Sequence, residues 1–178
     1  MLAWIITHLF DEKASWFWAM AQFFAITVSL VFIYHQVKAQ NQANLLQTLA
    51  SLDNRWNSAD MLASRKKACE NYLTDKLKIN RAQSDVIGFF EDMGVYFERG
   101  IFDAESLWDK YSYYVEFYWA MYQPHIQEFR AETKDPTWYE KFELLKKKME
   151  EFSKKKGLNI IGKTQEDIKK FIATEQDS

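Results

Sequence analysis

The chain reads as an all-α protein: one N-terminal transmembrane helix continuing into a stalk, a compact bundle of about four helices, and a short C-terminal helix. Three observations lead there. Residues 16–35 form a run of twenty residues without a formal charge. Beyond it, apolar residues recur at helical spacing in every segment, and no segment alternates as a strand does. The composition has 17% aromatic residues with only five Gly and two Pro, which suits a few long helices packed through bulky side chains. The expected boundaries are 1–15 for an interfacial segment, 16–35 for the span, 36–153 for a cytoplasmic helical domain with its stalk, and 154–178 for a peripheral tail with a short helix.

The apolar run, WFWAMAQFFAITVSLVFIYH, is long enough to cross a hydrocarbon core of roughly 30 Å at about 1.5 Å per residue. Before it stand Asp11, Glu12 and Lys13 rather than a positive n-region, and no A-x-A pattern follows, so an uncleaved anchor is expected rather than a signal peptide. Trp16 and Trp18 sit at one edge and Tyr34 with His35 at the other, where amphipathic rings favour the headgroup level. Ala21, Ala25 and Ser29 recur every four residues, with Gln22 beside them, and offer a face for a second membrane helix and hence a homo-oligomer. Lys13 stands alone before the run, while Lys38, Arg55, Arg65, Lys66 and Lys67 follow it, so the C-terminal side is expected to be cytoplasmic. The opening MLAWIITHLF carries an apolar stripe but is too short to span, and fits the interface.

After His35 there is no helix breaker through Leu45, Leu46, Leu49, Leu52 and Trp56, so the anchor is expected to continue as a stalk. Asn57 and Ser58 are capping residues for a helix ending near Asp75, with Met61, Leu62, Cys69, Tyr72 and Leu73 facing inward. Ser84 or Asp85 is expected to cap the next, whose Val86, Ile87, Phe89, Phe90, Met93 and Phe97 form its core face, with Gly100 at its C′ position. Asp103 opens a longer helix bearing Tyr111, Tyr114, Val115, Tyr118, Trp119 and Tyr122, which Pro124 should kink or interrupt. Asp135–Pro136 is the start signal for a helix bearing Trp138, Phe142, Leu145, Met149 and Phe152. A short helix after Thr164, with Ile168, Phe171 and Ile172, closes the chain.

Net charge of -2 gives no global basic excess, so nucleic acid is not an expected partner. The triplets Lys146–Lys148 and Lys154–Lys156 read as a solvated face offset by Glu143, Glu150 and Glu151. One cysteine, Cys69, excludes an internal disulfide and a cysteine-rich zinc site, and reads as a small buried residue. No Glu-x-x-His pair of the di-iron kind, phosphate loop or nucleophile elbow occurs, and His125 with Glu128 reads as a surface pair. No cofactor, metal or catalytic residue is therefore expected. Off the apolar stripe of their helix, Tyr113 and Phe117 are the expected exposed contact surface. Glu91 and Arg130 are the expected partly buried ion pair.

The run VIGFFEDMGVYFERGIFDAESLWDKY, followed by YWAMYQPHIQEFR and WYEKFELLKKKM, resembles the bacterial domain-of-unknown-function 4760 family. Phe90 with Glu91, Gly94, Gly100 with Ile101 and Asp103, Trp119, Pro124, Ile126, Arg130, and Tyr139 with Phe142 carry the likeness over roughly residues 20–150. The resemblance implies a small bacterial protein with one N-terminal membrane helix, and brings no catalytic residues with it. The reading is of an anchored helical interaction module whose partners are the lipid bilayer, a second copy through the membrane helix, and an unknown protein. A membrane-perturbing effector acting by oligomerisation and an enzyme with an unrecognised helical-bundle site are the alternatives.

Overall fold

The computed structural model describes residues 15–74, 79–102, 104–158 and 162–177, and these hold six helices: α1 Ser15–Trp56, α2 Ala59–Thr74, α3 Arg81–Glu98, α4 Ala104–Thr133, α5 Glu140–Lys155 and α6 Gln165–Asp177. Two compact units divide at Leu49 and Ala50. The expected interfacial segment and the ends near Asp75 and Asp103 lie outside the described residues. The described part of the first unit is α1 up to Leu49, the apolar run and the more polar stretch after it, without a break and with no residue of it buried.

The second unit begins with the last turns of α1. Leu52 and Trp56 are buried, and the indole lies 4.9 Å from the ring of Phe89 and 4.9 Å from that of Tyr114. Ser58 then ends α1 and starts α2, its hydroxyl accepting the Met61 N–H at 3.2 Å. On α2, Met61, Cys69 and Tyr72 face the core as expected, whereas Leu73 is exposed.

Asn80 caps α3, not Ser84 or Asp85. Its side chain accepts the Gln83 N–H, and the Gln83 side chain accepts the Asn80 N–H at 2.7 Å, a capping box that starts the helix one turn earlier. At the other end Gly100 adopts φ +67°; its N–H donates to the Phe97 carbonyl and that of Ile101 to the Tyr96 carbonyl, both at 3.0 Å. This is the Schellman closure that a C′ glycine permits. Gly157 at φ +74° closes α5 in the same way.

Pro124 does not interrupt α4, which runs through it to Thr133. A proline inside a helix costs about 3 kcal/mol, and burial of Tyr122, His125 and Ile126 on either side of it offsets that cost. Nor does Asp135–Pro136 start α5. The Asp135 carboxylate accepts the Thr137 N–H at 2.9 Å and its hydroxyl at 2.7 Å, which makes a turn. Tyr139, in the left-handed region at φ 57°, then separates that turn from the helix, so Trp138 stays 43% exposed while Phe142, Leu145 and Met149 are buried.

α5 crosses α3 where Gly94 removes a side chain. A Cβ there would lie 2.2 Å from the Lys141 carbonyl oxygen, so the two backbones meet directly. One turn away, the Phe90 and Phe142 rings stack at 5.0 Å. The 154–178 segment, expected to be peripheral, instead buries Ile168, Phe171 and Ile172 of α6 in the second unit. The apolar stripe of α6 turns to the core, as the apolar face of an amphipathic helix does. Gly94→Ala in the full chain in detergent micelles is expected to lose about 2 kcal/mol or more by overpacking, read as a lower midpoint of thermal unfolding by circular dichroism; an unchanged midpoint would show that the helices separate freely.

Candidate functional site

A buried polar cluster lies under α6 in the second unit. Met61, Arg65, Ala68 and Tyr72 share the inner stripe of α2, which places a guanidinium among apolar neighbours at 4% exposure. Ile168, Phe171, Ile172 and Glu175 share the inner stripe of α6, which delivers a carboxylate at 2% exposure. Arg65 Nε and Nη2 donate to the two Glu175 oxygens at 2.7 and 2.6 Å, the two-pronged geometry that a buried pair requires. The Tyr118 hydroxyl adds a third donor to Glu175 at 2.8 Å. Arg65 also lies 4.2 Å over the Trp56 ring, so the cation has a π face as well as a counter-ion.

Burial opposes the charge on Arg65, but the hydrogen-bonded Glu175 outweighs it and holds the guanidinium above its ordinary range. Burial first, then Cys69 and Glu175, push the Tyr118 hydroxyl well above its ordinary value. Burial and the same carboxylate push the Cys69 thiol up to about 12, with its sulfur 4.0 Å from the Tyr118 oxygen. Such a thiol is protonated at neutral pH and is a poor nucleophile.

Of the expected contact surface, Tyr113 is 49% exposed but Phe117 is only 7% exposed, because the Phe171 ring stacks on it at 4.6 Å. Phe117 thus belongs to the seat of α6. Glu91 and Arg130 do not pair. Arg130 reaches Glu143 at 2.7 Å and the Trp138 carbonyl at 2.8 Å, clamping the turn before α5. Glu91 instead accepts the N–H groups of Phe142 at 2.8 Å and Lys141 at 3.3 Å. It caps α5 from α3, supplying what the left-handed Tyr139 does not. Burial raises the Glu91 pKa and the two N–H donors pull it back.

A second feature is a cleft of about 440 Å³ lined by Ser84, His125, Glu128, Phe129, Glu132 and Tyr139. His125 is buried, not a surface residue, since it points inward one position after Pro124. The cleft carries an imidazole and two carboxylates on one face of α4. Among the described residues no three His, Cys, Asp or Glu side chains are placed to hold a metal ion.

In the first unit, Ala21, Gln22, Ala25 and Ser29 are all exposed on α1. The Ser29 hydroxyl donates to the Ala25 carbonyl at 2.8 Å, so this face stays narrow and makes no outstanding polar demand at Ser29. Four of the six lysines in the two triplets meet acids: Lys146 with Glu150, Lys147 with Glu143, Lys148 with Glu151, and Lys156 with Glu105 and Asp109. Solvent-accessible pairs of this kind are each worth about 1 kcal/mol or less.

A family model described as a domain of unknown function (DUF4760) matches residues 14–149, from the start of α1 into α5. No curated protein and no solved structure matches the chain. The Glu91, Gly94 and Phe142 junction lies inside the match; α6 and Glu175 lie beyond it.

Removing one member of the Arg65–Glu175 pair strands a buried charge. Arg65→Met is expected to destabilise the full chain by about 3–5 kcal/mol, whereas Arg65→Met with Glu175→Leu should come within about 2 kcal/mol of the parent. Thermal and denaturant unfolding of the three chains in detergent micelles measures this; a double variant no better than the single would mean that the pair is not the reason for the loss.

Proposed function

The chain belongs to the family of the domain of unknown function DUF4760, and from that premise we propose that it is a single-pass membrane protein whose helical domain is an interaction module rather than an enzyme. One observation carries the reading. Within α1 an 18-residue window reaches a mean hydropathy of 1.8 with none of it buried, while the second unit has its own core of Phe90, Tyr118, Tyr122 and Phe142. Apolar surface of that extent left in water is unfavourable by roughly 25 cal/mol per Å², and a bilayer is the environment that removes it. The Trp and Tyr residues at the two ends of the run support the same placement.

The excess of Lys and Arg after the run supports a cytoplasmic second unit, and the resemblance to a bacterial family supports the plasma (inner) membrane as the location. Self-association is read along Ala21, Ala25 and Ser29, where small side chains let two helices approach closely, with Gln22 alongside as a hydrogen-bonding group. Half-exposed Tyr113, on the rim of the α6 seat, is the surface offered to a protein partner.

Alkaline carbonate extraction tests the anchor: the full chain is expected to stay in the membrane pellet, and release into the supernatant would overturn the assignment. Single Cys substitutions at positions 20–32 in a Cys69→Ala background test self-association. Oxidative crosslinking is expected to peak at 21, 25 and 29, and a flat profile would remove the specific helix face.

A further inference from the structure

We propose that the cleft where the start of α3 meets the last turns of α4 is a binding site for a small aliphatic polyamine, held between the Glu128 and Glu132 carboxylates and the Phe129 and Tyr139 rings. Its described lining lies in the second unit, so the site goes beyond the interaction-module reading and is tested apart from the membrane assignment.

The cavity has the size and the fixed walls of a ligand site. Its volume of about 440 Å³ falls in the range of roughly 300–1,000 Å³ typical of small-molecule pockets, which are largely formed before the ligand arrives. Ser84 of α3, four residues of α4 and Tyr139 of the turn before α5 wall it. The capping box of Asn80 and Gln83 fixes the first turn of α3. Arg130 fixes the turn that carries Tyr139, through the Trp138 carbonyl at 2.8 Å and Glu143 at 2.7 Å.

Helical spacing sets the polar face. His125, Glu128 and Glu132 share one stripe of α4, and the two carboxylates are about one turn apart. His125 is buried at the base of the cleft, while both glutamates are exposed at its rim. Phe129 and Tyr139 are half-buried, and Trp138 packs edge-on against Phe129 at 5.1 Å, which makes an aromatic wall beside the acids.

Charge selects the ligand. Among the described residues no Lys or Arg lines the cleft, and Arg130, beside Phe129 in the chain, is engaged with Glu143. Neither Glu128 nor Glu132 enters an ion pair there, whereas Glu116 and Glu150 in the cleft beside Trp119 are met by Lys163 and Lys146. An anion would be repelled by the two carboxylates, and a neutral ligand would strip water from them without replacing it. A metal ion is poorly served, because no three His, Cys, Asp or Glu side chains converge among the described residues. An aliphatic amine meets both demands. Its ammonium groups answer the carboxylates, and its methylene chain and positive charge suit aromatic rings. Two carboxylates one turn apart favour two ammonium groups over one.

Isothermal titration calorimetry of the full chain in a neutral detergent tests this, with putrescine as the probe and butylamine and magnesium chloride as comparators. Saturable binding of putrescine, with butylamine about tenfold weaker, is expected because one charge-assisted contact is lost. Glu128→Gln and Glu132→Gln are each expected to weaken putrescine by about the same factor with the unfolding midpoint unchanged, since both side chains are exposed. Glu166→Gln, exposed on α6, is expected to leave binding as it was. No saturable heat at millimolar putrescine, equal affinity for butylamine or magnesium, or the same loss in Glu166→Gln overturns the site.

Discussion

A guanidinium and a carboxylate separated by 110 residues in the chain meet in the interior of the bundle, and the closure of the domain depends on their doing so. Each alone would be costly to bury, because an ion loses its hydration and gains little from apolar neighbours. Together, with two parallel hydrogen bonds, the Tyr118 hydroxyl on one oxygen and the Trp56 face under the cation, they are compensated. The net contribution to stability is small by this argument. An apolar stripe of Ile168, Phe171 and Ile172 can slide along a groove of aromatic rings; one carboxylate that has to reach Arg65 fixes its register.

On the other side of α4 a second junction works by backbone contact. Gly94 lets α3 touch the first turn of α5, and Glu91, three residues before it, receives the N–H groups that this turn exposes. Phe90 and Trp119 then enclose Phe142, the residue whose N–H Glu91 binds, so ring packing and capping locate the same turn. Lys141 adds ion pairs with Glu98 and Glu140 on the outside. This junction belongs to the part of the chain that defines the family, while the Arg65–Glu175 pair joins that part to the helix beyond it.

What was legible in the sequence was local. The apolar run of α1, the Ser58 cap, the C′ role of Gly100 and the inward stripes of α3, α4 and α5 follow from spacing and backbone chemistry within a few residues, and the structure has them. The capping box of Asn80 and Gln83 is equally local, and Asn caps as well as Ser or Asp, but it lies in a stretch without apolar periodicity, so Ser84 and Asp85, next to the apolar run, stand out in its place. Pro124 and Asp135–Pro136 were read by propensity, which packing around Tyr122 and the left-handed Tyr139 overrode. The pairing of Glu91, Arg130, Arg65 and Glu175 is tertiary, and no window of the sequence contains it. Yet Arg65 and Glu175 each fall in phase with the apolar residues of their own helix. A charge in the middle of an apolar stripe was the available signal that it had a buried partner. Phe117 was misplaced for the same reason, since its cover arrives from α6.

The central claim is that α6 is an integral part of the domain, fixed by the buried ion pair. Hydrogen exchange of the full chain in detergent micelles, read by mass spectrometry for the parent and Glu175→Gln, tests it most directly. Residues 165–177 are expected to be protected in the parent and to exchange at least tenfold faster in the variant, with 81–98 unchanged. Rapid exchange of α6 in the parent, or equal protection in both chains, would contradict it.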